Sequence, residues 1–281
     1  MMRVLLLRFA APLMSFGAVR VDARGPIQDH PGLGLVTGLL ANALGYDHAE
    51  ADRLTRLQER LRIASRCDRP GTRLTDYQTV DLGQEHLVSV ENGMKAILSA
   101  RRKRNLPIWS EHECDYFPRG WTTRGAPEYR DGDLRNACGT HERRRDYHAD
   151  RVQTVAVTLF PAEEAPTLDD CGAALDTPAR PLFLGRKPCL PAGRLNLGVV
   201  EAESLLSALA NAPRWTHRHG STGRDALEAW WPEDPDVTPP PQSRVIAVVD
   251  ERDWRGQVVV GRRLLRHGRV NPPGTPETAH A

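Results

Sequence analysis

The chain has 281 residues, of which 40% are hydrophobic and 26% charged, with a formal net charge of +2 at pH 7. This composition is ordinary for a globular protein, and the length allows one large domain or two small ones. Because the net charge is almost zero, only the distribution of basic residues can indicate nucleic-acid binding. Five scattered cysteines without a C-x-x-C pair argue against a disulfide scaffold and predict a cytoplasmic protein. No apolar run approaches the roughly 18 residues of a membrane span, so no membrane partner is expected.

The N-terminal region alternates between strand and helix patterns. Residues 3–9 form a short apolar run interrupted by Arg8, which predicts a buried strand rather than a signal peptide. Residues 33–45 predict a buried helix with Gly45 as its C-terminal stop. Residues 49–60 predict a short amphipathic helix.

Two strand-like runs follow, residues 61–67 and 73–80, joined by Asp68-Arg69-Pro70-Gly71. This junction is a strong turn signal and predicts a hairpin, with a local excess of arginine. Alternation on the second strand places Arg73 and Tyr77 on one face, where Tyr77 could stack a base. A tyrosine buried at a sheet edge is the alternative interpretation.

Residues 81–150 are long, polar and irregular, which is unusual in a compact domain unless the segment is functional. We interpret them as an arm inserted into the first domain. Basic and aromatic side chains are interleaved along it, a combination that holds single-stranded RNA by stacking and charge. A turn whose tryptophan packs on the body is an equally good interpretation of the Pro118–Gly125 motif. The candidate RNA-binding residues of the arm are Arg119, Trp121, Arg124, Arg144, Arg145 and Tyr147.

After the arm, residues 152–160 predict an alternating strand, residues 168–175 a helix, and residues 244–249 and 257–260 short strands. Without the arm, the order is close to the βαββαβ ferredoxin-like pattern. We therefore predict a ferredoxin-like domain at 1–80 with 151–200, an inserted arm at 81–150, a small C-terminal region at 201–271 and a disordered tail at 272–281.

The sharpest local feature is the glycine-and-basic loop Leu184-Gly185-Arg186-Lys187. The stretch from Arg180 to Arg194, both ends included, contains four basic residues and no acidic residue. Gly185 would let the backbone approach a ligand closely, and the backbone N–H groups beside Arg186 and Lys187 suit phosphate oxygens. The alternative is a solvated turn after a strand.

Metal and catalytic chemistry have weaker support. His112 with Cys114, and Cys138 with His141, are two pairs of possible zinc ligands, but their spacings differ and neither pair lies in a tidy knuckle. A zinc-stabilised protein adaptor is therefore a minor alternative, and we predict no metal and no cofactor. Metal-free RNA cleavage would need a general base and a cation. The candidates for those roles are His30, Tyr77, His148 and Lys187, and each has a simpler structural explanation, so no catalytic residue is assigned.

Six segments in register carry a resemblance. They are Leu5-Leu6-Leu7-Arg8 with Pro12-Leu13-Met14-Ser15-Phe16-Gly17, Leu39-Leu40-Ala41-Asn42-Ala43-Leu44-Gly45, Asp76-Tyr77-Gln78-Thr79-Val80, Asp146-Tyr147-His148-Ala149-Asp150, and Leu184-Gly185-Arg186-Lys187-Pro188-Cys189. In this order the chain resembles the CasD subunits, the Cas-five-type RAMP family of the subtype I-E CRISPR surveillance complex, Cascade. The resemblance covers roughly residues 2–260.

The resemblance implies an α+β fold: a ferredoxin-like (RRM-like) RAMP domain with a long inserted β-hairpin, or thumb, and a small β-rich C-terminal part. It implies a subunit that caps the crRNA at its 5′ handle, contacts the backbone subunit CasC and the large subunit CasA, and meets target DNA near the PAM only indirectly. The loop after the first strand, with Arg20 and Arg24, and the Leu184–Cys189 loop would then lie near the handle. Such a subunit of antiviral defence is not an enzyme.

The chain departs from the family in two places. Its thumb segment is longer than in compact members. The stretch from His30 to Gly34 lacks the basic residue that some relatives carry after the proline, which puts a phosphate contact there in doubt. The main alternative function comes from the subtype I-C relatives, in which the corresponding subunit is a metal-independent endoribonuclease that processes repeat RNA.

Overall fold

The computed structural model describes residues 1–19, 24–81, 140–215, 226–235 and 237–272. The chain divides into two compact units. The first contains Met1–Val19, Pro26–Leu74 and Asp146–Ala281, and the second contains Arg20–Gly25 and Thr75–Arg145. No helix in the described ranges is long and apolar enough to cross a membrane.

The described residues form short helices and mostly antiparallel strands. The helices are α1 (Leu33–Ala43), α2 (Ala51–Arg60), α3 (Leu168–Asp176) and α4 (Leu205–Asn211). The strands before α3 are β1 (Met2–Ala10), β2 (Leu13–Met14), β3 (Arg24–Gly25), β4 (Leu61–Arg69), β5 (Thr72–Asp81), β6 (Thr140–Ala149) and β7 (Val152–Leu159). Those after it are β8 (Asn196–Ala202), β9 (Leu227–Pro232), β10 (Arg244–Val248), β11 (Glu251–Asp253), β12 (Val258–Val260) and β13 (Arg263–Val270).

A ferredoxin-like core lies at the centre of the first unit. Its elements follow the chain order β1-α1-β4-β7-α3-β8, and its strands lie side by side in the order β8-β1-β7-β4, each antiparallel to its neighbour. This βαββαβ arrangement confirms the predicted α+β fold class. Strands β9, β13 and β10 extend the same sheet beyond β4 to seven strands.

Both faces of the sheet are covered at β1, which explains why this strand is apolar on both sides. Leu5, Leu7 and Phe9 point into the core formed with α1, α2 and α3. Val4 and Leu6 alternate with them and pack on the opposite face against α4. The run of buried residues in β1 therefore reflects two layers of packing.

The predicted hairpin between the two runs at 61–67 and 73–80 is wrong, although both runs are strands. β4 pairs with β7 and β9 in the main sheet, whereas β5 pairs with β6 in a separate small sheet that also contains β2 and β3. Gly71 lies between them with φ of +64°, and a Cβ there would approach the backbone oxygen of Ala149 to 2.2 Å. The junction thus sends the chain into another sheet instead of back along β4.

A buried ionic network joins β1, β4 and α4. Arg66 Nε donates to Asp68 Oδ1 at 2.6 Å, and Arg8 Nη1 lies 3.2 Å from Asp68 Oδ2, with the Asp68 side chain fully buried. Thr154 Oγ1 donates to the same carboxylate at 2.6 Å. Arg66 also donates to three backbone carbonyls at the end of α4, those of Leu209, Ala212 and Pro213. One strand arginine therefore satisfies carbonyls that the short helix leaves open.

A residue between two C-terminal strands, Asp250, caps the first turn of α1. Asp250 Oδ2 accepts a hydrogen bond from the backbone N–H of Leu33 at 2.8 Å, and the Asp250 carbonyl accepts one from Gly34 at 2.9 Å. Arg263 donates to both carboxylate oxygens of Asp250 at 2.7 Å. A carboxylate at this position accepts a hydrogen bond from a helix N–H that has no partner within the helix. Its negative charge is also stabilised by the positive end of the helix dipole.

Candidate nucleic-acid interface

The loop at Leu184–Cys189 is a closed turn whose two ends are anchored in the core. Leu184 and Cys189 are fully buried, and the N–H of Leu184 donates to the Cys189 carbonyl at 2.8 Å. The carbonyl of Leu184 accepts from the N–H of Ser15 at 3.0 Å, and the N–H of Cys189 donates to the Arg186 carbonyl at 2.9 Å. Leu184 is thus an anchor, and the part of the loop that can meet a ligand is Gly185 to Lys187.

Gly185 is required for packing of the loop, while its predicted close approach to a ligand stays a prediction. Its φ of +108° is a conformation that side-chain-bearing residues rarely adopt. A Cβ on this residue would lie 2.0 Å from the backbone oxygen of Ser15. The glycine therefore lets the loop rest directly on the segment that follows β2.

Arg186 is held in a defined position by its neighbours. Its guanidinium lies 4.8 Å from the centre of the Tyr147 ring, and Nη1 donates to the Asp146 carbonyl at 2.8 Å. Tyr147 is only 4% exposed, so its ring supports Arg186 from below and offers no open face for a base. Lys187 is exposed and makes no ion pair within the described ranges.

The second unit contains an exposed aromatic–arginine pair. The side chain of Tyr77 is half exposed, and the Arg144 guanidinium lies 5.5 Å from its ring centre. The parallel pairing of β3 with β6 places Arg24 opposite Arg144 and Gly25 opposite Arg145. An exposed ring among arginines is the combination that single-stranded nucleic acid uses for stacking and charge neutralisation.

Arg73 differs from these residues because it already has a partner. Its Nη2 lies 3.0 Å from Asp29 Oδ1, with both side chains more than half exposed. Burial opposes ionisation of Asp29, but the hydrogen bond and charge of Arg73, together with Arg151, outweigh it and lower the pKa of Asp29. A phosphate at Arg73 would compete with this carboxylate.

The remaining predicted contacts, Arg20, Arg119, Trp121 and Arg124, lie outside the described residues. The same holds for three of the possible zinc ligands, His112, Cys114 and Cys138, and for the side chain of His141. Among the residues that are described, no three histidine, cysteine or acidic side chains converge in a way that could hold a metal ion.

Two of the four side chains considered for RNA cleavage are buried. His30 is 4% exposed, and burial lowers the pKa of its ring to about 4. His148 is 1% exposed, its Nε2 donates to the Gln28 carbonyl at 2.9 Å, and burial lowers its pKa as well. Burial thus favours the uncharged form of both rings and covers them with protein, while Tyr77 and Lys187 are exposed.

Sequence reasoning missed Asp250, which caps the start of α1, where the sequence put a phosphate contact in doubt. The helix N–H that could have met a phosphate there already donates to the Asp250 carboxylate.

Residues 4–266 match the family model described as CRISPR-associated protein (Cas_Cas5). The chain belongs to this family. No curated protein matches it. Among solved structures, this Cas5 chain is similar to a chain of a "CRISPR RNA-guided surveillance complex", with a TM-score of 0.59 and 22% identity over 96% of this chain and 91% of that one. It is also similar to a protein described as "Crystal structure of Cas protein", with a TM-score of 0.57 and 21% identity over 98% of each chain. At these identities the two neighbours support the fold of the Cas5 chain.

Proposed function

We propose that this Cas5 chain is the non-catalytic crRNA-binding subunit of a type I-E Cascade, a cytoplasmic ribonucleoprotein of antiviral defence. In this role it caps the 5′ handle of the guide RNA, contacts the backbone subunit CasC and the large subunit CasA, and meets target DNA near the PAM only through them. Membership of the Cas5 family and similarity to a chain of an RNA-guided surveillance complex support a place in such an assembly.

The observation that carries the proposal is the fixed position of Arg186 beside the exposed Lys187. An arginine held by an aromatic ring and a backbone carbonyl loses little conformational entropy when it binds a phosphate, since its guanidinium is already oriented. The stretch from Arg180 to Arg194 itself contains no acidic residue, so the loop carries a local excess of positive charge. This loop therefore suits the sugar-phosphate backbone of a folded RNA end.

The non-catalytic part of the proposal rests on burial of the histidines. Cleavage without a metal needs a general base within hydrogen-bonding reach of the 2′-hydroxyl, and His30 and His148 are both covered by protein. Each ring has a hydrogen-bonding partner and a tilted aromatic contact, which give it a structural role.

Replacing Arg186 and Lys187 together by alanine should weaken binding of the repeat-derived handle by about tenfold or more at physiological salt. Loss of two phosphate contacts to a single strand should also reduce the slope of log K against log salt by about 1.4. The measurement is fluorescence-anisotropy titration of labelled RNA transcribed from the associated repeat, at several salt concentrations.

The matched control removes two positive charges from the same segment, through Arg180→Ala with Arg194→Ala. Arg194 is paired with Asp176, and Arg180 donates to the Tyr46 carbonyl, so the control should change handle affinity little. Equal losses in both double variants would mean that net charge alone is sensed, which would contradict the proposed site. Arg186→Lys separates charge from geometry and should give an intermediate affinity.

A further inference from the structure

A second candidate surface lies on the last strands of the main sheet, away from the residues assigned to the handle. We call it the strand shelf and define it by Glu228, Trp230, Arg244, His267 and Arg269. On the neighbouring strands β10, β13 and β9, Arg244 lies opposite His267, and His267 lies opposite Trp230. Arg269 and Glu228 form the next cross-strand pair on the same face, because side chains two residues apart in a strand point the same way.

The centre of the strand shelf is a stacked pair of rings on a rigid support. The rings of His267 and Trp230 have centres 5.0 Å apart and planes within 7° of parallel. Trp230 is 5% exposed and is backed by His30, whose ring centre lies 5.6 Å away. The outer ring, His267, keeps 21% of its side-chain surface exposed. Burial lowers its pKa despite the nearby Glu228 carboxylate, which favours the neutral form of the ring.

Two cations flank this ring. Arg244 and Arg269 are exposed, and neither makes an ion pair with any residue that the structure describes. Arg269 is about 7 Å along β13 from His267, and Arg244 is on the adjacent strand, so both side chains can reach groups attached to a ligand seated on the ring. The opposing charge on the shelf is that of Glu228, 4.0 Å from His267 Nε2.

We propose that the strand shelf binds single-stranded nucleic acid, with a base stacked on His267 and neighbouring phosphates on Arg244 and Arg269. A planar ring with a fixed backing, two exposed guanidinium groups and one carboxylate fits a polyanion with flat bases better than a protein surface. This contact is sequence-tolerant, because every base has a face that can stack. The ligand is either a segment of guide RNA outside the handle or a displaced DNA strand, which share this chemistry.

The test measures binding of fluorescein-labelled oligouridylate and oligothymidylate of about 15 nucleotides to the full chain carrying Arg186→Ala and Lys187→Ala. In this background the proposed handle loop can no longer bind RNA. Failure of the strand-shelf proposal can therefore be told apart from failure of the handle proposal. Adding Arg244→Ala and Arg269→Ala should weaken binding about tenfold and reduce the salt slope by about 1.4. The probe whose binding depends on Arg244 and Arg269, whether RNA, DNA or both, identifies which strand the shelf accepts.

Three single variants sharpen the test. His267→Ala should weaken binding about fivefold or more without changing the salt slope, and His267→Phe should restore it, since stacking needs a ring and no charge. Glu228→Gln should tighten binding, an effect that a purely structural role would not produce.

Arg262→Ala is the control, because Arg262 is an exposed arginine of the same region outside the shelf. If the Arg244/Arg269 variant binds like the Arg262 control, or if the loop-disabled background binds neither probe, the proposal is overturned.

Discussion

Replacing Asp68 by alanine is expected to lower the free energy of unfolding by about 3–5 kcal/mol. The substitution leaves two buried guanidinium groups without their carboxylate, those of Arg66 and Arg8, of which Arg66 is completely buried. It also removes the acceptor for the Thr154 hydroxyl. Urea denaturation followed by far-ultraviolet circular dichroism measures the loss.

The matched control is Asp52→Ala, which breaks the ion pair with Arg255. Both side chains of that pair are more than 70% exposed, and solvent-exposed pairs contribute about 0–1 kcal/mol. A loss at Asp68 no larger than at Asp52 would contradict the buried network.

Replacing Asp250 by alanine is the second large effect, with an expected loss of about 3–5 kcal/mol. The carboxylate is buried, accepts two hydrogen bonds from Arg263 and one from the first turn of α1, and its loss leaves all three donors unsatisfied. Asp169→Ala is the control, since its bidentate pair with Arg3 is on the surface with both side chains more than half exposed.

The Asp250→Ala variant also tests the idea that this carboxylate replaces an anion at the helix terminus. Sulfate should stabilise the variant more than the wild type or Asp169→Ala, because the vacated N-terminus of α1 and Arg263 together form an anion site. Equal stabilisation of all three proteins by sulfate would show only its general effect on compact states and would contradict the replacement.

Local patterns were sufficient for the elements of the ferredoxin-like core. The strand at 3–9, the helix from residue 33 to the stop at Gly45, the strand from 152 and the helix from 168 are all confirmed within one or two residues. In each case the spacing of the apolar residues matches the face that the element buries in the folded chain. In the helix that begins at residue 33, a glycine also marks the end. The order of these elements was therefore enough to indicate the fold class.

Long-range pairing was not visible in the same patterns. The Pro70-Gly71 signal correctly marks a change of direction, but the partner of each strand depends on residues at least 59 positions away, in β6 and β7. Strand β13 was missed because its arginines and histidine give it no apolar alternation, although its backbone pairs on both sides.

The candidate site shows the same division between local and long-range information. Composition identified the cationic loop at Arg186 and Lys187, but only the folded chain shows that Tyr147 is buried beneath Arg186 and that Gly185 contacts Ser15. Asp250 is more than 200 residues from the helix it caps, so its role could not be read from either segment alone.

We propose that this Cas5 chain binds the repeat-derived handle without cutting it. The most direct measurement is the length of the RNA recovered from the complex, after the purified chain has been incubated with repeat RNA in EDTA and separated on a native gel. We predict that the retarded complex contains RNA of full length. RNA shortened to a discrete product within the repeat would contradict the proposal and indicate a metal-independent processing nuclease.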